Sequence, residues 1–204
     1  MPGAETGVLP PSRREALLTT AAREFAGAGY QRASLNRIIR SCRMSKSSFY
    51  HYFDSKEALF DATVLDAAQR LLAALPVPAP ADLAGPDFWT RIDELIAGAV
   101  RLVGPQDRML WTLFYLPDAP TGPGSALARL RAGIDGWLAA ALAAGRDAGA
   151  VRTDLPASLQ AAMALAVLQA MDEWSLHQLD ALSPDELATL VDAQLQALHR
   201  LVGH

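Results

Sequence analysis

The stretch from Ser34 to Lys56, SLNRIIRSCRMSKSSFYHYFDSK, constrains this chain more than any other. It reads as two short helices joined by a tight turn and followed directly by the start of another. Ser34 stands where an N-cap would, and Leu35, Ile38 and Ile39 fall on one inward face. The turn comes near Arg43, and Ser45 caps the next run, where Phe49 and Phe53 at i and i+4 anchor a small core while Ser47, Ser48 and His51 point outward. Asp54 or Ser55 caps the helix after it. A compact helix-turn-helix can lay its second helix in the major groove of duplex DNA.

Charge supports that reading. Residues 1–56 hold nine Lys/Arg against four acids, a net of +5, whereas the remainder holds nine against eighteen, a net of −9. Lys46 and Lys56 are the only lysines, and both lie in the motif. A basic head on an acidic body fits contact with a polyanion at one end only.

The rest of the 204 residues is helical in pattern, and 51% of the chain is apolar, enough for a sizeable core. No window alternates as a half-buried strand does. The expected fold is all-α: a helix-turn-helix domain followed by a helical domain, about nine helices in total. Residues 1–11, with three prolines and two glycines, are expected to be a disordered tail, 12–56 the DNA-binding domain and 57–204 an effector-binding and dimerisation domain. The first helix is expected to open on a Ser12/Glu15 capping box, to bury Ala16, Leu17, Ala21, Phe25 and Ala28, and to end at Gly29 in the left-handed conformation. Later helices are predicted at 57–75, 87–103, 105–116, 125–149, 156–180 and 184–202, separated by proline-bearing connections.

Several classes are disfavoured. No apolar run reaches the ~18–20 residues that span a bilayer. The N-terminus, MPGAETGVLPPS, has no basic stretch leading into an apolar one, so a cytoplasmic protein is expected. Cys42 is the only cysteine and reads as a small buried hydrophobe, with no disulfide or thiolate metal cluster in prospect. His51, His177, His199 and His204 lack metal-ligand spacing, and nothing arranges the Ser, His and Asp residues for catalysis. No enzyme activity, metal or cofactor is expected.

Ala22-Arg23-Glu24-Phe25, Gly29-Tyr30, Ala33-Ser34, Ile38 and the run Lys46-Ser47-Ser48-Phe49-Tyr50-His51-Tyr52-Phe53-Asp54-Ser55-Lys56-Glu57-Ala58-Leu59 resemble the TetR family of bacterial transcriptional regulators. The resemblance covers roughly residues 12–60. It departs from the family pattern at Arg43, where a glycine is usual, at Ile39, where an alanine is, and at Ser47, where glycine is common. The resemblance implies that Lys56, Tyr50 and Tyr52 meet phosphates. Lys46, Ser47, Ser48 and His51 would approach base edges, Ser34 the phosphate strand, and Asn36, Arg37 and Arg43 the rim. It also implies a homodimer on a pseudo-palindromic operator, repressing transcription until a small lipophilic effector binds. The alternative is an activator, or a nonspecific DNA-binding protein without an effector.

A dimer seam is expected on the last two helices, through Val167, Leu187, Val191, Leu195 and Leu198. Trp89, Met109, Trp111, Phe114, Tyr115, Trp137, Met163, Met171 and Trp174 are candidates to line an apolar effector cavity, with core packing as the alternative for each.

Overall fold

A computed structural model describes residues 9–101, 107–178 and 181–203. Among these the fold is all-α, without a strand. The helices are α1 (Pro11–Ala28), α2 (Leu35–Ser41), α3 (Lys46–Tyr52), α4 (Lys56–Ala74), α5 (Phe88–Arg101), α6 (Asp107–Phe114), α7 (Ala126–Asp147), α8 (Ala157–Gln178) and α9 (Pro184–Val202), with a 3₁₀ turn at Pro80–Leu83. The predicted helices are all present, within a few residues at each end.

The chain packs as two compact units, residues 1–70 with 105–128 and residues 71–104 with 129–204. The division expected at residue 56 is not the one the packing makes. Leu59, Phe60 and Val64 of α4 are buried, Phe60 with its ring against those of Phe25 and Tyr30, and α6 packs along α1.

In the first unit α1 buries Leu17, Leu18, Ala21, Ala22 and Phe25. Ala16, expected on that face, is exposed, because the stripe is rotated by one residue. The Ser12 cap does not form. Pro10 and Pro11 start the helix earlier, since a proline at the first helical position has its φ preset and has no amide to satisfy, and this leaves Ser12 inside the first turn. Leu9 is buried, so the expected tail is ordered from there; residues 1–8 lie outside the described residues. Gly29 does end α1, but with φ 78° and ψ 161°, a region essentially reserved for glycine rather than the left-handed helical one.

In the second unit Leu83, Phe88, Ala141, Leu142, Val151, Ala164 and Val202 form one core. Trp89 and Trp137 pack against it, and their indole N–H groups donate to Ala150 O (3.0 Å) and Pro78 O (2.9 Å). Beside the core the Arg146 guanidinium donates to the carbonyls of Arg152, Thr153 and Leu155 and to Oε1 of buried Gln160. This holds the α7–α8 connection in place. Gly145 faces the same core: an added Cβ would lie 2.6 Å from Val151 and 2.7 Å from Phe88. Gly145→Ala is therefore expected to destabilise the protein by about 1–3 kcal/mol through overpacking, read as a lower urea midpoint. An unchanged midpoint would mean that the core yields there.

Candidate nucleic-acid interface

Each short helix of the head starts on a serine whose side chain does the capping. Ser34 Oγ accepts from Arg37 N (3.3 Å) and Ser45 Oγ from Ser48 N (3.0 Å). Ser55, rather than Asp54, caps α4, accepting from Ala58 N (3.0 Å). Between α2 and α3, Arg43 takes φ 50°. A side chain in that region costs about 1–2 kcal/mol over glycine, and the surrounding caps hold it there.

Helix α3 has two sides. Phe49 is fully buried, and its ring centroid lies 5.6 Å from that of half-buried Phe53. Lys46, Ser47, Tyr50 and His51, spaced i, i+1, i+4 and i+5, are exposed together on the opposite side. Tyr50 is 53% exposed, a large apolar ring left in solvent on a basic surface. Ser48 and Tyr52 lie half-buried on the flank, Tyr52 with its ring against His51 (centroids 5.0 Å). Asn36, Arg37 and Arg43 are exposed and Ser34 is half-buried. Arg37 is also paired with Glu24 (3.2 Å), which limits its reach. Cys42 is half-buried, with Sγ 3.9 Å from Ala16 O.

Lys56 stands apart from the exposed set. Its Nζ donates to Gln31 O (3.1 Å) and Ala33 O (3.2 Å) and sits 4.7 Å from the centroid of the Tyr30 ring. Two of its three donors are thus engaged inside the head, which leaves one for a phosphate.

Sequence reasoning missed Asp118, in the connection after α6. Its carboxylate accepts from Tyr30 N (3.0 Å) and Gln31 N (2.8 Å), 88 and 87 residues away. The Gln31 amide above all holds this carboxyl below its ordinary value of 3.8; burial opposes it, and the Tyr30 amide adds a smaller lowering effect. A depressed folded-state value means the contact contributes stability above the ordinary carboxylate range and loses it as pH falls through the lowered value. No local signal announces such a pairing.

The candidate effector-pocket residues fall in both packing units. Met109, Trp111, Phe114 and Tyr115 belong to the first unit and the others to the second. Trp89 and Trp137 are core-packing residues with their N–H groups satisfied. Trp174 is 51% exposed, and with Val167, Ala170, Met171 and Gln194 it lines an open groove of about 350 Å³ rather than an enclosed cavity. Met163 is half-buried on α8. Of the expected seam, Val167, Leu187, Val191 and Leu195 are half-buried, whereas Leu198 is buried. His177 meets the backbone carbonyl of Glu173 (2.6 Å), not its carboxylate. Among the described residues no His/Cys/Asp/Glu cluster could hold a metal, and no helix is long and apolar enough to cross a membrane.

The capped head with its exposed α3 face coincides with a match to the family model "Bacterial regulatory proteins, tetR family" over residues 17–63. Residues 17–63 match the TetR-family domain. The TetR-type head is 38% identical over 65 residues to the Escherichia coli HTH-type transcriptional regulator UidR, covering 32% of this chain and 33% of that one. It is 36% identical over 62 residues to the Mycobacterium tuberculosis HTH-type transcriptional repressor Rv1474c, covering 30% and 33%. The chain thus matches about a third of the length of these relatives. Beyond the TetR-type head the likeness is one of fold. The crystal structure of AibR in complex with isovaleryl coenzyme A and operator DNA superposes with a TM-score of 0.67 at 20% identity, covering 91% of this chain and 97% of that one.

Proposed function

We propose that this protein is a cytoplasmic, homodimeric transcriptional repressor of the TetR type, released from a pseudo-palindromic operator by a small lipophilic ligand. The observation that carries the reading is the α3 face, where Lys46, Ser47, Tyr50 and His51 stand exposed together over a buried Phe49. Lysine donates to guanine O6 or N7 or to phosphate, serine to either, and the tyrosine hydroxyl to phosphate. Two such helices reach successive major grooves when about 34–36 Å apart, which requires a dimer.

The seam follows from α8 and α9. Trp174, Met171 and Val167 leave an apolar groove open, and a second copy of the same groove is its simplest cover. An effector is supported by the neighbour of like fold whose structure holds isovaleryl coenzyme A beside operator DNA, and repression by the relative named a repressor. For release to occur, ligand and DNA must favour different conformations of the dimer, and their coupling is reciprocal.

The test is enrichment of duplexes from a random-sequence library. A pseudo-palindrome is expected to emerge and to bind at least about 10³-fold more tightly than a scrambled duplex at the same salt. Equal affinity for the two would reject sequence-specific regulation in favour of nonspecific binding.

A further inference from the structure

The segment from Tyr30 to Ser34 joins α1 to α2, and its backbone is held by charged side chains from three directions. Glu24 Oε1 accepts from Ser34 N (2.9 Å). The Lys56 ammonium takes the carbonyls of Gln31 and Ala33. Asp118 takes the amides of Tyr30 and Gln31, one carboxylate oxygen to each. Glu24 and Lys56 belong to the head's own helices. Asp118 comes from the connection between α6 and α7, whose far end is tied to the head as well, Asp61 Oδ1 accepting from Ala126 N (3.0 Å). Gly29 makes room for the arrangement: a Cβ there would lie 3.1 Å from Asp118 Oδ2.

The turn leads directly into Ser34, which caps α2, and α2 packs on α3. Moving Tyr30 and Gln31 therefore moves the start of α2 and, through it, the seat of the exposed α3 face. We propose that Asp118 is a positioning residue for sequence-specific DNA binding: from outside the matched DNA-binding domain it holds the α1–α2 turn in the form that seats α2 and α3 on the operator. This rests on the DNA-binding reading above. The chemistry is narrow. A carboxylate offers an acceptor to each of two consecutive amides, whereas an amide side chain offers one acceptor and sets an NH₂ group against the other N–H.

The test uses the full chain and two duplexes, the enriched pseudo-palindrome and a scrambled version. Asp118→Asn and Asp118→Ala leave every basic residue of the head in place. Both are expected to lose tenfold or more in affinity for the pseudo-palindrome at a temperature where circular dichroism reports them fully folded. Their affinity for the scrambled duplex and their salt slope are expected to stay at wild-type values. A residue that merely stabilised the fold would lower the melting temperature without changing this ratio. Unchanged affinity for the pseudo-palindrome, or an equal loss on both duplexes, would overturn the proposal. If neither variant folds, amide exchange of Tyr30 and Gln31 in the wild type decides it: slower exchange on the pseudo-palindrome than on the scrambled duplex supports the role, and equal exchange refutes it. A wild type that enriches no sequence would refute the DNA reading itself, a separate outcome.

Discussion

Phe25→Ala is expected to remove about 3–5 kcal/mol of stability, a large part of the 5–15 kcal/mol typical of a native protein. Phe25 is fully buried, with the Phe60 ring edge-on at 5.0 Å and the Tyr30 ring stacked at 5.9 Å. Truncation leaves a cavity between α1 and α4 that these neighbours can only partly fill. The effect reaches further, because the Tyr30 ring that leans on Phe25 also carries the Lys56 ammonium on its face. Loss of the support loosens Tyr30, then Lys56, then the carbonyls of Gln31 and Ala33. Urea unfolding followed by circular dichroism measures the first effect, and Phe25→Leu, closer in volume, is expected to cost much less. A loss below about 1 kcal/mol for the alanine variant would mean that the head closes up around the gap.

The second large effect is on assembly. Trp174→Glu replaces a half-exposed indole, so the isolated chain is expected to fold with little change in stability. In the proposed dimer the same residue lies in the seam, and a carboxylate there must be desolvated beside its symmetry mate without a counter-charge. Monomers are expected by sedimentation at micromolar concentration. Affinity for the pseudo-palindrome is then expected to fall to the level for scrambled DNA, because one head grips only one half-site. Ile134→Glu, on α7 and 46% exposed, is the control and is expected to leave both assembly and affinity intact. A Trp174→Glu protein that remained dimeric would move the seam away from the α8 groove.

What could be read from the residues in advance was the chemistry of near neighbours. Ser34 and Ser45 cap their helices because a serine hydroxyl just before a helix is within reach of the amide three residues on, a contact set by local geometry. Phe49 and Phe53 were placed by a spacing of four, and the helix limits by Gly, Pro and Ser between apolar runs. Failures began where two local rules competed or where the partner was distant. Pro10 and Pro11 outweighed the Ser12 cap because a preset φ needs no side-chain bond. Leu198 and Val191 look alike along α9, and only the packing decides which one is buried. The four tryptophans could not be sorted into core and surface from their spacing. Trp89 and Trp137 are settled by carbonyls about 60 residues away, at Ala150 and Pro78. The bond from Asp118 to Tyr30 is the extreme case, since an aspartate in a proline- and glycine-rich connection carries no mark of its partner.

The discontinuous first unit has a consequence for how the protein is made. Residues 1–70 leave the ribosome well before the segment 105–128 that completes their packing. At ordinary rates of synthesis the 58 residues from Arg70 to Ala128 take roughly 3–12 s. During that interval the nascent head carries its basic residues but lacks α6 and the Asp118 carboxylate. A chain interrupted early in that window would be a cationic fragment, with a net charge of +3 over residues 1–70 and α1 partly bare, open to aggregation and to loose adhesion to nucleic acid. The arrangement ties a finished basic surface to the synthesis of a segment that follows it by dozens of residues.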